Sequence, residues 1–227
     1  MGTAMVPFSF AQNFIFDLDG TLLDTIFDIN VAINLALKQC GYDYQYNLEE
    51  TKQLIGDGAD KCVERALTLH NQDLQGFPAL KAAYMPLYKT HQNEHVKPFD
   101  GLKQTLEELH RLGAKLFVVT NKPDALAQVV VPFHYGDKLF DAIIGAQEGM
   151  KVKPDPWQVN LIMERFALDK EKTVFVGDSI TDILTGHNAG LKTILVKWGY
   201  GFYDKATLAK ADKVITKPEE LLQISSK

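Results

Sequence analysis

The stretch FIFDLDGTLLDT, residues 14–25, sets three carboxylates directly behind a short apolar run. Phe14-Ile15-Phe16 reads as a strand buried on both faces, as strands of a parallel sheet are. Asp17 and Asp19 follow at its end. In extended backbone, residues i and i+2 project to the same side, so the two carboxylates face one place. Gathered carboxylates repel, and each costs free energy unless solvated, hydrogen-bonded or paired with a cation. Such a pair suits a hard divalent cation such as Mg2+, or a split of roles between nucleophile and acid. Gly20 permits a sharp turn and Thr21 adds a hydroxyl. Asp24 belongs elsewhere: Thr25-x-x-Asp28 is a capping-box pattern, so Asp24, Thr25 and Asp28 read as the start of a helix.

Outward from this strand, further β-like runs occur at KLFVV (115–119), AII (142–144), TVFV (173–176) and TILV (193–196). Helical periodicity fills the intervals near 101–112, 123–131, 155–167 and 180–189. The alternation predicts an α/β protein with a doubly wound parallel sheet, whose ligands bind at the carboxyl ends of the strands. Residues 25–95 break the rhythm. Helical patterns fit 25–40, 48–55, 59–70 and 78–94, and no strand is evident. The expected organisation is therefore a core of residues 1–24 and 96–227, with a helical cap of residues 25–95 inserted after the first strand and able to hinge over the strand ends.

The other strand ends carry matching chemistry. KLFVV is followed by TNKP (120–123), where Thr120 offers a hydroxyl and the amides of Asn121 and Lys122 are placed to meet an anion. In KVKPDP (151–156), Pro154 holds Lys153 extended, and Asp155 before Pro156 reads as a helix cap. TVFV is followed by GDSITD (177–182), which adds Asp178 and Asp182. Ser179-x-x-Asp182 is again a capping-box pattern, so Asp182 serves either as a cap or as support for a neighbouring ligand. Any one of these elements is weak. An acid pair, a Thr, a Lys and a second acid, ordered along the chain and all at strand ends, are specific together.

Composition bounds the setting. With 227 residues, 46% hydrophobic and 23% charged, the chain can pack a sizeable core. The net charge of −5 and scattered Lys and Arg give no basic face, so neither nucleic acid nor a membrane surface is an expected partner. Cys40 and Cys62 read as thiols of a reducing cytoplasm rather than as a disulfide. The start MGTAMVPFSF lacks a signal-peptide pattern. Monomer and homodimer remain equally compatible with the sequence.

DLDGTLLDT, VVTNKP, KPDP and GDSITDI together resemble the four ordered motifs of the haloacid dehalogenase-like phosphohydrolases. The helical block after the first strand is similar to that superfamily's cap. The resemblance implies a Rossmann-like core and Mg2+-dependent phosphoryl transfer through an aspartyl-phosphate. By it, Asp17 is the nucleophile, and Asp19 is the general acid and then base, its carbonyl on the metal. Thr120 and the adjoining Asn121 amide hold the phosphoryl group, Lys153 neutralises it, Asp178 binds Mg2+ and Asp182 supports that site. The cap segment LIGDGADKCVERAL (54–67) and WGYGF (198–202) are similar to the phosphoglycolate phosphatase-like subgroup. That likeness places Gly56, Gly58 and Arg65 (or Lys61) at the non-phosphate end of a small phosphorylated metabolite, 2-phosphoglycolate by best fit.

Other readings make distinct expectations. A phosphosugar mutase would share every core residue but return phosphate to a sugar, and a pyrophosphatase or nucleotidase would share the cap. HQNEH (91–95) fits an H-x-x-E-H zinc pattern with His91 and His95 on one helical face, but no third ligand accompanies it, and the polar end of a helix is the simpler reading. A non-catalytic binding module is disfavoured because no candidate catalytic position has been lost.

Overall fold

The computed structural model describes residues 11–225; the amino-terminal segment on which the signal-peptide expectation rests lies outside them. The chain runs β1 (Asn13–Phe16), β2 (Leu23–Asp24), α1 (Ile26–Gln39), α2 (Leu48–Thr51), α3 (Ala59–Thr68), α4 (Phe77–His91), β3 (Lys97–Pro98) and α5 (Leu102–Arg111). It continues through β4 (Lys115–Pro123), α6 (Asp124–Tyr135), β5 (Ala142–Ala146), α7 (Trp157–Arg165) and β6 (Thr173–Gly177). Last come α8 (Ile180–Asn188), β7 (Lys192–Val196), α9 (Lys205–Lys210) and β8 (Lys213–Ile215).

Six strands form one parallel sheet in the order β5-β4-β1-β6-β7-β8. The winding reverses at β1, which has β4 on one side and β6 on the other. A crevice therefore opens at the carboxyl ends of these three strands, where the candidate residues were expected. Strand burial follows the two-residue period. Phe14, Phe16, Leu116, Val118, Val174 and Val176 pack on one face with Leu106 of α5 and Val130 of α6. Ile15, Phe117, Val119 and Phe175 pack on the other with Val159 and Ile162 of α7. Both faces are covered by helices, which is why the runs are continuous rather than alternating.

Helices α1 to α4 form a separate cluster. Ile29, Ala32, Ile33 and Leu37 of α1 meet Val63 and Leu67 of α3 and Leu80 and Tyr84 of α4. Leu126 of α6 joins this cluster and ties it to the core. Where the chain crosses between core and helices, β2 and β3 pair antiparallel as a two-stranded ribbon. Neither ribbon strand nor β8 was expected: two or three residues are too few to show a period. No described helix is long and apolar enough to cross a membrane. Both cysteines are free, and burial pushes the Cys62 thiol up to about 12.

The start of α1 departs from the expected capping box. The Thr25 side chain makes no capping bond, and its hydroxyl has no partner among the described residues. Asp28 is buried and instead accepts from the His95 amide, at 3.0 Å, and pairs with His95 Nδ1 at 2.9 Å. The Tyr200 hydroxyl takes over the cap: it accepts from the amides of Thr25 (2.6 Å) and Ile26 (3.0 Å) and donates to Asp24 Oδ1 (2.6 Å). Tyr200→Phe removes these bonds without changing the ring. It is expected to cost ~1–3 kcal/mol, because buried partners are left unsatisfied. That corresponds to a fall in Tm of roughly 2–12 °C for a chain of this size, read by thermal denaturation. An unchanged Tm would show that the hydroxyl does not hold the start of α1.

Candidate active site

The first residue past β1 continues the ladder: the Asp17 amide donates to Val176 O at 2.9 Å. This aims its buried carboxylate into the crevice. Lys153 Nζ reaches Asp17 Oδ1 at 2.5 Å and Asp182 Oδ1 at 2.7 Å, with its side chain almost wholly buried. Asn121 fixes the lysine's backbone from both sides. Its Oδ1 accepts from the Lys153 amide at 2.9 Å, and its Nδ2 donates to the Lys153 carbonyl at 3.1 Å. The Asn121 side chain is thus spent on positioning Lys153.

Gly177 and Ser179 bring the second acidic pair into place. A Cβ at Gly177 would stand 2.2 Å from the Asp182 Cβ, so only glycine lets the end of β6 approach the start of α8. Ser179 and Asp182 form a true capping box, with Asp182 Oδ2 accepting from the Ser179 amide (3.0 Å) and hydroxyl (2.7 Å). Asp182 is therefore both cap and Lys153 partner. Asp178 accepts from Thr21 Oγ1 (3.1 Å) and from the amides of Tyr200 (2.7 Å) and Gly201 (3.2 Å).

Asp17, Asp178 and Asp182 have carboxylate oxygens within 4.8 Å of one another. Burial, then the charge of Asp182, raises Asp17 well above the usual carboxylate range despite the opposing pull of Lys153. Burial and Asp182 push Asp178 up to about 7. Burial alone would depress Lys153, but Asp17 and Asp182 more than offset it and hold the ammonium above its ordinary value. Three buried carboxylates against one ammonium leave excess negative charge, and the donors are all hard oxygens. That set fits Mg2+.

The sign of this linkage gives a test. Asp178 has a folded value above its unfolded one, so it contributes stability in its protonated form. That contribution is complete below its ordinary value of 3.8 and is lost as pH rises through about 7. Cation binding needs the ionised form. The Tm gain from Mg2+ should be larger at about pH 8 than at about pH 5. Equal gains at the two pH values would contradict a carboxylate site.

Asp19 stands apart from this group. Its Oδ1 lies 3.2 Å from Lys122 Nζ, although both Asp17 and Asp19 border the same small pocket of about 40 Å³. Thr120 borders it too, and its Oγ1 accepts from the Lys122 amide at 3.1 Å, so that amide is occupied rather than free for an anion. Ile29, Cys62, Tyr84 and Tyr88 line the pocket from the helical side. Gly56 and Gly58 also line it: Gly56 O accepts from Asn121 Nδ2 at 3.3 Å, and a Cβ at Gly58 would press to 3.2 Å from the Asn121 carbonyl. Arg65 lines an adjoining cleft of about 400 Å³ that Asp17, Asp19 and Asp178 also border, with its guanidinium on Asp57 and on the Ile55 carbonyl. Asp57 in turn accepts from Thr181 Oγ1 at 2.9 Å, closing helical block onto core. Lys61 pairs with Glu64 on the surface.

Sequence reasoning passed over the side chains of Lys122 and Tyr88 and left Tyr200 aside. Lys122 had a signal: it sits two residues after Thr120 in extended backbone and so points to the same side. His91 and His95 do not share a helical face, because α4 ends at His91. His91 pairs with Glu94 at 2.9 Å and His95 with Asp28. Among the described residues, the three aspartates are the one group placed to hold a metal.

A family model of haloacid dehalogenase-like hydrolases matches residues 14–196. The chain is 33% identical over 218 residues to a phosphoglycolate phosphatase of Vibrio parahaemolyticus, covering 92% of this chain and 93% of that protein. It is 32% identical over 214 residues to one from Aquifex aeolicus, covering 92% and 94%. A crystal structure from Haemophilus somnus, described as a predicted phosphoglycolate phosphatase, superposes with a TM-score of 0.86 at 29% identity, over 98% of this chain and 99% of that one.

Proposed function

This chain belongs to the haloacid dehalogenase-like hydrolases and is a phosphatase of that family, and we propose that it is a Mg2+-dependent one that cleaves small phosphomonoesters through an aspartyl-phosphate, with 2-phosphoglycolate as substrate. The observation that carries this reading is Asp17, buried at the end of β1, held by Lys153, and opening onto a pocket walled on one side by the helical cap.

Mg2+ held by the carboxylates of Asp17 and Asp178 and the Asp19 carbonyl would supply positive charge between nucleophile and phosphate, with Asp182 as support. Asp17 attacks phosphorus; the bond to the ester oxygen breaks, and that oxygen takes the Asp19 proton. Lys153 and the Thr120 hydroxyl hold the phosphoryl oxygens. Water then gives a proton to Asp19 and attacks phosphorus, releasing inorganic phosphate and restoring Asp17.

The pocket beside Asp17 and Asp19 is about 40 Å³ and adjoins a cleft of about 400 Å³ that the same two residues border, so the likeness to phosphoglycolate phosphatases, not pocket size, supports the leaving group. The amino end of α3, at Gly58 and Ala59, borders the pocket and favours an anionic group there. In this reading Gly56, Gly58 and Arg65 shape the non-phosphate end, and residues 25–95 act as the cap that admits substrate and water. A panel of 2-phosphoglycolate, pyrophosphate, nucleoside monophosphates and sugar phosphates, scored by free phosphate with and without Mg2+, tests it. The expected order puts 2-phosphoglycolate first and metal-free rates near zero. Preference for a nucleotide, or phosphate returned to a sugar, would replace this substrate assignment.

A further inference from the structure

Lys122 is a buried cation that the proposed chemistry does not use. Its side chain has no exposure, and its ammonium meets two groups: Asp19 Oδ1 at 3.2 Å and the Tyr88 hydroxyl. It also lies 4.4 Å above the centre of the Tyr88 ring. Tyr88 is buried in the cap and stacks on Tyr84, with ring centres 5.2 Å apart and 13° between planes. A buried ammonium is retained only when paired, and among the described residues Asp19 is its one carboxylate within ion-pair distance. Phosphate neutralisation does not require it, since Lys153 occupies that place.

The geometry points to Lys122 as the positioning residue for Asp19, engaged through Tyr88 when the cap is seated on the core. This rests on the reading of Asp19 as the acid that protonates the leaving oxygen. Pairing fixes Oδ1. The other oxygen, Oδ2, makes no hydrogen bond among the described residues and is left to face the ester oxygen in that reading. Lys122 and Asp19 stand on the core, at β4 and just past β1, and Tyr88 stands on α4 of the cap. Seating the cap on the core therefore aligns the acid.

Leaving-group dependence separates this role from a merely structural one. An alkyl phosphate needs the departing oxygen protonated, whereas p-nitrophenyl phosphate departs readily without it. Lys122→Met, which keeps an apolar stem over Tyr88, is expected to lower kcat by about 100-fold on the best alkyl phosphate of the panel, with KM within about threefold. The loss on p-nitrophenyl phosphate is expected to be about tenfold smaller, the same pattern that Asp19→Asn should give. Lys122→Arg should recover part of the alkyl rate. Tyr88→Phe, which keeps the ring and removes the hydroxyl, should show the same selectivity at smaller amplitude, and it serves if the lysine variants do not fold. Equal losses on both substrates, or a rise in KM with kcat kept, would overturn the positioning role. Asp17→Asn tested alongside separates the two claims. Turnover surviving in that variant defeats the underlying reading, whereas a silent Asp17→Asn with unselective Lys122 variants defeats this inference alone.

Discussion

Asp17→Asn is expected to abolish phosphatase turnover, by about 10⁴-fold or more, while the fold is kept or strengthened. A carboxamide has the volume of the carboxylate, and its oxygen still accepts from Lys153, which also keeps Asp182. It cannot form the bond to phosphorus. Stability moves the other way. Burial and the neighbouring Asp182 and Asp178 raise Asp17 well above its ordinary value, so its ionised form opposes folding at neutral pH. Removing that charge should leave Tm equal or higher. Activity assays with thermal denaturation of the same samples check both directions. A large fall in Tm would mean that the carboxylate is there for stability and not for chemistry.

Lys153→Met is the complementary case and should damage both properties. It strands Asp17 and Asp182 in a buried place with no cation between them. Breaking a buried ion pair by deleting one partner costs about 3–5 kcal/mol, which for this size of chain is a fall in Tm of roughly 6–20 °C. The loss should shrink at acid pH, because Asp17 then takes a proton and no longer needs the lysine. Turnover should fall by about 100- to 1000-fold, since the charge on the phosphoryl oxygens loses its main protein counterweight. A stable, active Lys153→Met protein would remove the lysine from the account.

How much of this could be read in the sequence depended on distance along the chain. The core strands were legible because burial on both faces makes FIF, KLFVV and TVFV continuously apolar. The polar residues at their ends then stand out against them. The Ser179-x-x-Asp182 box was legible because both partners are local. The same pattern at Thr25-x-x-Asp28 misled, because tertiary partners won: Tyr200 takes the amides from 175 residues away, and His95 takes Asp28 from 67 residues away. Nothing local encodes such contacts. Lys122 lay between these cases. Its direction followed from Thr120, but its counter-ion and the tyrosine above it come from separate parts of the chain. The ribbon of β2 and β3 and the edge strand β8 were too short for a period to register.

The stereochemical course at phosphorus tests the central claim most directly. Hydrolysis of an isotopically chiral thiophosphate ester by the Mg2+-loaded wild-type protein should give a product of retained configuration, because transfer to Asp17 and transfer to water each invert it once. Net inversion would mean that water attacks the ester in a single step, and Asp17 would not be the nucleophile.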